Sequence, residues 1–247
     1  MSNFQDLPDE LILKVLSYSK IKDLITCGQA SKRIRKISRD NSLWMTVTLE
    51  KKIVKTELLE LILGKGCTIL KIFNSTILGR LSPNIRSQLR VLNMSHPVAW
   101  NCIQRPLNID VSEKLLFSSC SIQHLAMKGV RLTPKMAQGI CRNYKTLQIL
   151  NLNYSSVTEL SNPFVDEISY LEEILKCCQE LKEVNFSEVE GFQNDDLEVL
   201  VKNIPPNVEK LSLSRVNVTD DHVKILLSRC KKMKLISIKV GSVFQIM

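Results

Sequence analysis

The chain has 247 residues, 44% of them hydrophobic but only 5% aromatic, and a formal net charge of +9. That length can bury a sizeable core, and a core made mostly of Leu, Ile and Val is what stacked repeats need. No apolar run is long enough to span a membrane, and the start MSNFQDLPDE has neither a basic leader nor a hydrophobic stretch, so neither signal peptide nor membrane partner is expected.

The first fifty residues are the most informative. Leu11, Ile12, Leu13, Val15, Leu16 and Tyr18 spread over roughly 220° of a helical wheel, whereas one-sided burial needs a stripe nearer ~100° wide. Part of that helix must therefore meet something besides its own chain. Pro8 suits its first turn, where a missing N–H is no loss. The pattern predicts a second helix over 22–30 and a third over 31–40, with Leu24, Ile25, Ile34 and Ile37 facing inward. Trp44 then has three short helices to pack against.

The run from Leu7 to Trp44 resembles an F-box, the helical module that docks on the Skp adaptor of cullin-RING (SCF) ubiquitin ligases. Matching positions are Leu7, Pro8, Glu10, Leu11, Leu16, Asp23, Leu24, Leu43 and Trp44; departures are Ser19, usually Leu, Ala30, usually Val, and Ile34, usually aromatic. The resemblance implies an F-box over 4–49 whose adaptor contacts come from Leu7, Pro8, Leu11, Ile12, Val15, Leu16 and Leu24. The alternative is a three-helix cap for whatever follows.

After Leu49 the chain repeats itself. The pattern apolar-x-x-apolar-x-apolar recurs at Cys67/Leu70/Ile72, Leu89/Leu92/Met94, Ile122/Leu125/Met127, Leu147/Leu150/Leu152, Leu181/Val184/Phe186, Val208/Leu211/Leu213 and Met233/Ile236/Ile238. The central positions are separated by 22, 33, 25, 34, 27 and 25 residues, close to one strand plus one helix, with insertions after the second and fourth strands. Helical segments lie between them, with start signals at Thr56, Asp110, Thr133-Pro134, Asn194 and Thr219, and a further helix is predicted within VDEISYLEEILKCC. No such unit could bury its apolar face alone.

Residues 50–247 resemble the leucine-rich repeats of F-box proteins, including the subtype in which a Cys precedes the strand centre by six residues. Cys178 and Cys230 keep that spacing, and Cys120 is one short. The usual Asn or Cys after each strand is replaced by Ser75, Pro97, Val130, Ser155, Val189, Val216 and Gly241. The resemblance implies an α/β fold, a three-helix F-box followed by a leucine-rich-repeat solenoid of about seven strand-helix units with a concave parallel sheet.

Strand alternation locates a binding surface, because the neighbours of the inward residues face out. Lys71, Asn93, His124, Lys128, Asn151, Asn153, Asn185, Lys210, Ser212 and Lys239 are the candidate contacts, Ser95, Glu183, Ser187, Ser214 and Ser237 also face outward, and an alternating polar side also serves solubility. Trp100 and Arg105, in the insert after the second strand, are residue types enriched at interface hot spots. Lysines outnumber acids on this face, so an acidic or phosphorylated target is expected. Lysines scattered among Ser and Asn without aromatic platforms match no nucleic-acid module. At the C-terminus Val243, Phe244, Ile246 and Met247 are expected to fold over the open end of the seventh unit or to dock on a partner.

Chemistry finds no foothold. The eight cysteines form no CxxC and the three histidines lie far apart, so no metal site is expected. Gly64-Lys65-Gly66 lacks the spacing of a phosphate loop, and no cofactor is implied. Together with this lack of catalytic motifs, the F-box resemblance implies a non-catalytic substrate receptor of an SCF ligase in cytoplasm or nucleus, linked through the Skp adaptor to cullin and RING subunits. The alternative is a leucine-rich-repeat scaffold without ligase function.

Overall fold

The computed structural model describes residues 4–95, 108–155, 170–189, 192, 194–214, 216–239 and 242–245. Three short helices come first: α1 (Asp9–Leu16), α2 (Ile21–Ala30) and α3 (Lys32–Ser38). Pro8 stands just before α1 as its cap, with an extended ψ of 152°, and not inside the first turn. Ser31 caps α3 by accepting from Ile34 N at 3.1 Å. Ile12, Leu16, Leu24, Ile34 and Ile37 form the small core of this bundle. Ile25, expected inside, is exposed, because one residue on from Leu24 turns it about 100° around α2, away from that core.

A 3-10 turn over Asn41–Trp44 carries Trp44 into a second, much larger core. Ile21 and Leu43 pack against both, so the two cores are continuous. The larger one is built on a nine-stranded sheet in the order β1 (Thr46–Glu50), β3 (Ile69–Phe73), β5 (Val91–Ser95), β6 (His124–Ala126), β7 (Ile149–Asn151), β8 (Glu183–Asn185), β9 (Lys210–Ser214), β10 (Leu235–Lys239) and β11 (Ser242–Gln245). The first eight are parallel, and β11 returns antiparallel along β10. A separate parallel pair, β2 (Ile53–Lys55) and β4 (Thr76–Leu78), lies beside the start of the sheet's sequence.

All seven expected strand centres fall in strands and share one register: Leu70, Leu92, Leu125, Leu150, Val184, Leu211 and Ile236 are successive Cα partners. Val47 of β1 extends that row, so an eighth parallel strand begins within the span read as F-box. It obeys the same spacing, Trp44/Val47/Leu49, and all three residues are buried.

Among the described residues the parallel strands open and close by recurring patterns. The carbonyls of Met45, Thr68, Arg90, Gln123, Gln148, Lys182 and Glu209 each accept from two successive N–H groups of the next strand's entry. Four residues past the centre the backbone turns left-handed, at Lys51, Asn74, Gly129, Tyr154 and Glu188, with φ between 48° and 69°. Parallel strands need long crossovers, and the chain supplies helices α4 (Thr56–Gly64), α5 (Ile109–Phe117), α6 (Pro134–Asn143), α7 (Tyr170–Cys177), α8 (Asn194–Asn203) and α9 (Asp220–Arg229), while the β3–β5 crossover carries β4 and no helix, unlike the strand-helix unit expected there. From α5 to α9 each packs on the next, giving a helical layer over the buried side of the sheet.

Thr133 and Thr219 cap α6 and α9 as their sequence positions predict. Three starts differ. Asn108, not Asp110, caps α5, accepting from Asp110 N at 2.9 Å, Thr56 is itself the buried first residue of α4, and Asn194 is the first residue of α8. Between units, the Cys178 and Cys230 thiols donate to the carbonyls of Tyr144 at 3.5 Å and Pro205 at 3.3 Å. Ser119 takes the corresponding place before Leu125, donating to Leu89 O at 2.8 Å, which leaves Cys120 exposed. Beyond the strands, Ser75 accepts from Lys52 N at 3.1 Å, whereas Val130, Val189 and Val216 are buried and fill the same place by packing alone.

Candidate functional site

Two surfaces collect the residues singled out in the sequence. On the first, α1 is pinned from α3: Arg33 pairs with Asp9 at 2.6 Å and donates to the Leu7 carbonyl at 2.6 Å. Ile12 and Leu16 face the bundle core, which leaves Leu11 52%, Val15 49% and Tyr18 79% exposed. With Pro8, also exposed, they follow helical spacing as one stripe up the outer side of α1. Phe4 and Ile25 are further large apolar side chains left exposed on the same bundle. Lys14 lies over the Tyr18 ring at 5.6 Å. Contiguous exposed apolar side chains of this kind mark a contact surface.

Of the residues expected to touch an adaptor, the structure places Pro8, Leu11 and Val15 on that stripe. Ile12, Leu16 and Leu24 are instead sealed in the bundle's own core at 0%, 3% and 1% exposure, because α1 and α2 have only each other and α3 to bury them. Leu7 is half-buried and packs on that core. Tyr18, the most exposed of the stripe, was absent from the expected contacts although it continues their spacing.

The second surface is the outward side of the sheet. Register brings Lys71, Asn93, Ala126, Asn151, Asn185, Ser212 and Ser237 into one row, with Thr48 of β1 at its end. Asn151 and Asn185 accept from the backbone N–H of Asn153 at 3.0 Å and Ser187 at 2.9 Å, so their oxygens shape the exits of β7 and β8. Asn93 accepts from the Ser95 hydroxyl at 2.5 Å. His124 sits half-buried at the start of β6, and Lys128, just past that strand, lies over the Tyr154 ring at 5.1 Å. The left-handed backbone at Tyr154 is what no sequence signal announced.

Lys210 is not a free cation. It pairs with Glu183 across β8 and β9 at 2.6 Å, and that hydrogen bond, with the carboxylate's charge, raises its pKa above the usual lysine value. Ser214, expected to face outward, is buried at the end of β9. Lys239 is the Cα partner of Ser214 at the end of β10. Trp100 and Arg105 lie outside the described residues.

Among the described residues no three or more His, Cys, Asp and Glu side chains gather as they would around a metal ion, and no helix is long and apolar enough to cross a membrane. The buried thiols are poor nucleophiles. Burial pushes Cys67 up to about 11 and Cys141 and Cys178 up to about 12, since a thiolate there would lose its water.

Residues 4–50 match the F-box-like family. The match spans α1, α2, α3, the Trp44 turn and β1. F-box domains bind Skp-type adaptors and are typically parts of non-catalytic adaptor subunits, and residues 4–50 of this chain match that family.

Proposed function

We infer that the chain is the substrate-recruiting subunit of an SCF-type cullin-RING ubiquitin ligase. The F-box-like domain holds the Skp adaptor, which links the chain to cullin and RING subunits in cytoplasm or nucleus. Residues 50–247 form a leucine-rich-repeat solenoid whose outward sheet face holds an acidic or phosphorylated target protein. The order of F-box, Gly66-Cys67 first unit and short irregular units is similar to that of the S-phase-kinase-associated F-box proteins. Ubiquitin transfer is then accelerated by raising the effective concentration of target lysines near the charged conjugating enzyme. The chain contributes no catalytic group.

The observation that carries this reading is the exposed stripe Pro8, Leu11, Val15 and Tyr18 on a domain that matches the F-box-like family. Ile12, Leu16 and Leu24 serve it indirectly, by fixing the angle at which α1 presents the stripe. In favour of repeats stand the single register of eight parallel strands and the left-handed turn recurring four residues after their centres. The test is co-purification with a Skp adaptor. Leu11→Asp should abolish capture by placing a charge in a desolvated contact, with the circular-dichroism spectrum unchanged because Leu11 is half out of the chain. Full capture by this variant would sink the reading.

A further inference from the structure

The outward face of the sheet divides into two halves of different chemistry. The row just before the strand centres reads Thr46, Ile69, Val91, His124, Ile149, Glu183, Lys210 and Leu235. From β3 to β7 it is aliphatic apart from His124. The neighbouring row adds Lys71 over the same strands, and Lys128 stands beside Tyr154 at the exit of β6. No ion pair engages Lys71 or Lys128 among the described residues. From β8 to β10 the same two rows carry Glu183 and Lys210, already neutralised by each other, and otherwise Asn185, Ser212, Ser237 and Leu235. Lys239 stands at the far end of β10, three residues past its centre as Lys128 is past that of β6, but only in the first half do lysines accompany an aliphatic strip, with Glu50 of the edge strand as the acid on that side.

We propose that the target segment is an extended acidic peptide that lies across β3 to β7, its aliphatic side chains on Ile69, Val91 and Ile149 and its carboxylates towards Lys71 and Lys128. This rests on the reading that the sheet face is where a target is held. Carboxylates fit better than a phosphate. Phosphate recognition favours arginine forks, and these rows contain no arginine. Lys71 and Lys128 also stand two strand spacings apart and two residues out of register, roughly 12 Å, so they meet two separate anionic groups and do not clamp one. Steering by unpaired lysines makes the contact salt-sensitive.

The test is a selection of short random peptides displayed on phage, run on the full chain alone and on the chain with a Skp adaptor. Selected peptides should alternate Asp or Glu with aliphatic residues. Fluorescence polarisation of a labelled winner should weaken at least about tenfold with the double substitution Lys71→Glu and Lys128→Glu, and change little with Ser212→Ala and Ser237→Ala. Adaptor capture and the melting temperature report separately that both variants are folded. The proposal is overturned by winners without acids, by no winner, by binding that follows Ser212 and Ser237, or by a phosphorylated counterpart of the winner binding more tightly. Failure of the wild-type chain to capture adaptor, with acidic peptides still bound through Lys71 and Lys128, would instead bring down the ligase reading and leave this one standing.

Discussion

Trp44 Nε1 donates to the Ser38 carbonyl at 3.0 Å. The acceptor is the last residue of α3, and Trp44 stands three residues before Val47, the first in the row of strand centres, as Cys67 stands before Leu70. One buried indole thus closes the helical bundle and opens the sheet. Leu43 and Ile21 join it, each packed on both cores, and Lys65 Nζ donates to the Arg39 carbonyl at 3.1 Å.

Removing that indole should disturb both halves together. Trp44→Ala takes a fully packed aromatic out of the large core, a loss of about 3–5 kcal/mol. Trp44→Phe keeps most of the packing but leaves the Ser38 carbonyl without its donor, a loss of about 1–3 kcal/mol. Urea unfolding followed by circular dichroism and by adaptor capture should give coincident midpoints for wild type and both variants. Adaptor capture lost well before the sheet melts would show that the bundle and the sheet are energetically independent.

The buried cysteines predict a loss of stability on the alkaline side. Burial raises Cys67 to about 11 and Cys141 and Cys178 to about 12; beside Cys141, Cys177 and Glu173 add to the effect. Below the ordinary thiol value of 9.0 these groups are protonated in folded and unfolded chain alike. Between 9.0 and about 12 the unfolded chain ionises and the folded one resists, so stability falls as pH rises through that window. Urea midpoints should be level near neutral pH and drop above 9.0, with a shallower drop in Cys178→Ala. At neutral pH, iodoacetamide should label exposed Cys120 before Cys67, Cys141 or Cys178. Early labelling of Cys178 would reveal local opening between the units that its thiol joins.

The recurring left-handed turn predicts a third outcome. Gly129 adopts φ 69° without penalty and Asn74 φ 48° at little cost, while Lys51, Tyr154 and Glu188 hold φ of 51°, 54° and 56° against the preference of a side chain. Gly129→Ala should lose about 1–2 kcal/mol, and Gly129→Asn clearly less, since Asn tolerates this conformation. Thermal melts of the two variants check the order. Equal melting temperatures would mean that the turn relaxes and that the register beyond it does not depend on that backbone shape.

Much of the fold was legible in the chain. The spacing apolar-x-x-apolar-x-apolar marks buried residues on one side of a strand, and seven of the strand centres it marks came out in one register. The same spacing runs through Trp44, Val47 and Leu49, but a helical module had already claimed those residues, so β1 was missed. The left-handed turns were illegible for a different reason. Lys, Asn, Gly, Tyr and Glu share no local preference for that conformation, and only the demand that each chain segment turn off the sheet at the same place imposes it.

The candidate surfaces divide in the same way. A helix with apolar residues over more than half of its circumference must leave some of them outside its own small bundle, and that much followed from periodicity alone. Which ones it shows depends on where α2 and α3 sit: Leu11, Val15 and Tyr18 remain outside because Leu24, Ile34 and Ile37 take up Ile12 and Leu16. On the sheet, alternation is a property of each strand and was readable one strand at a time. That Lys210 is spent on Glu183 while Lys71 and Lys128 are not depends on which strands become neighbours, and residues 27 positions apart in Glu183 and Lys210 meet only because tertiary pairing sets β8 against β9 in that register.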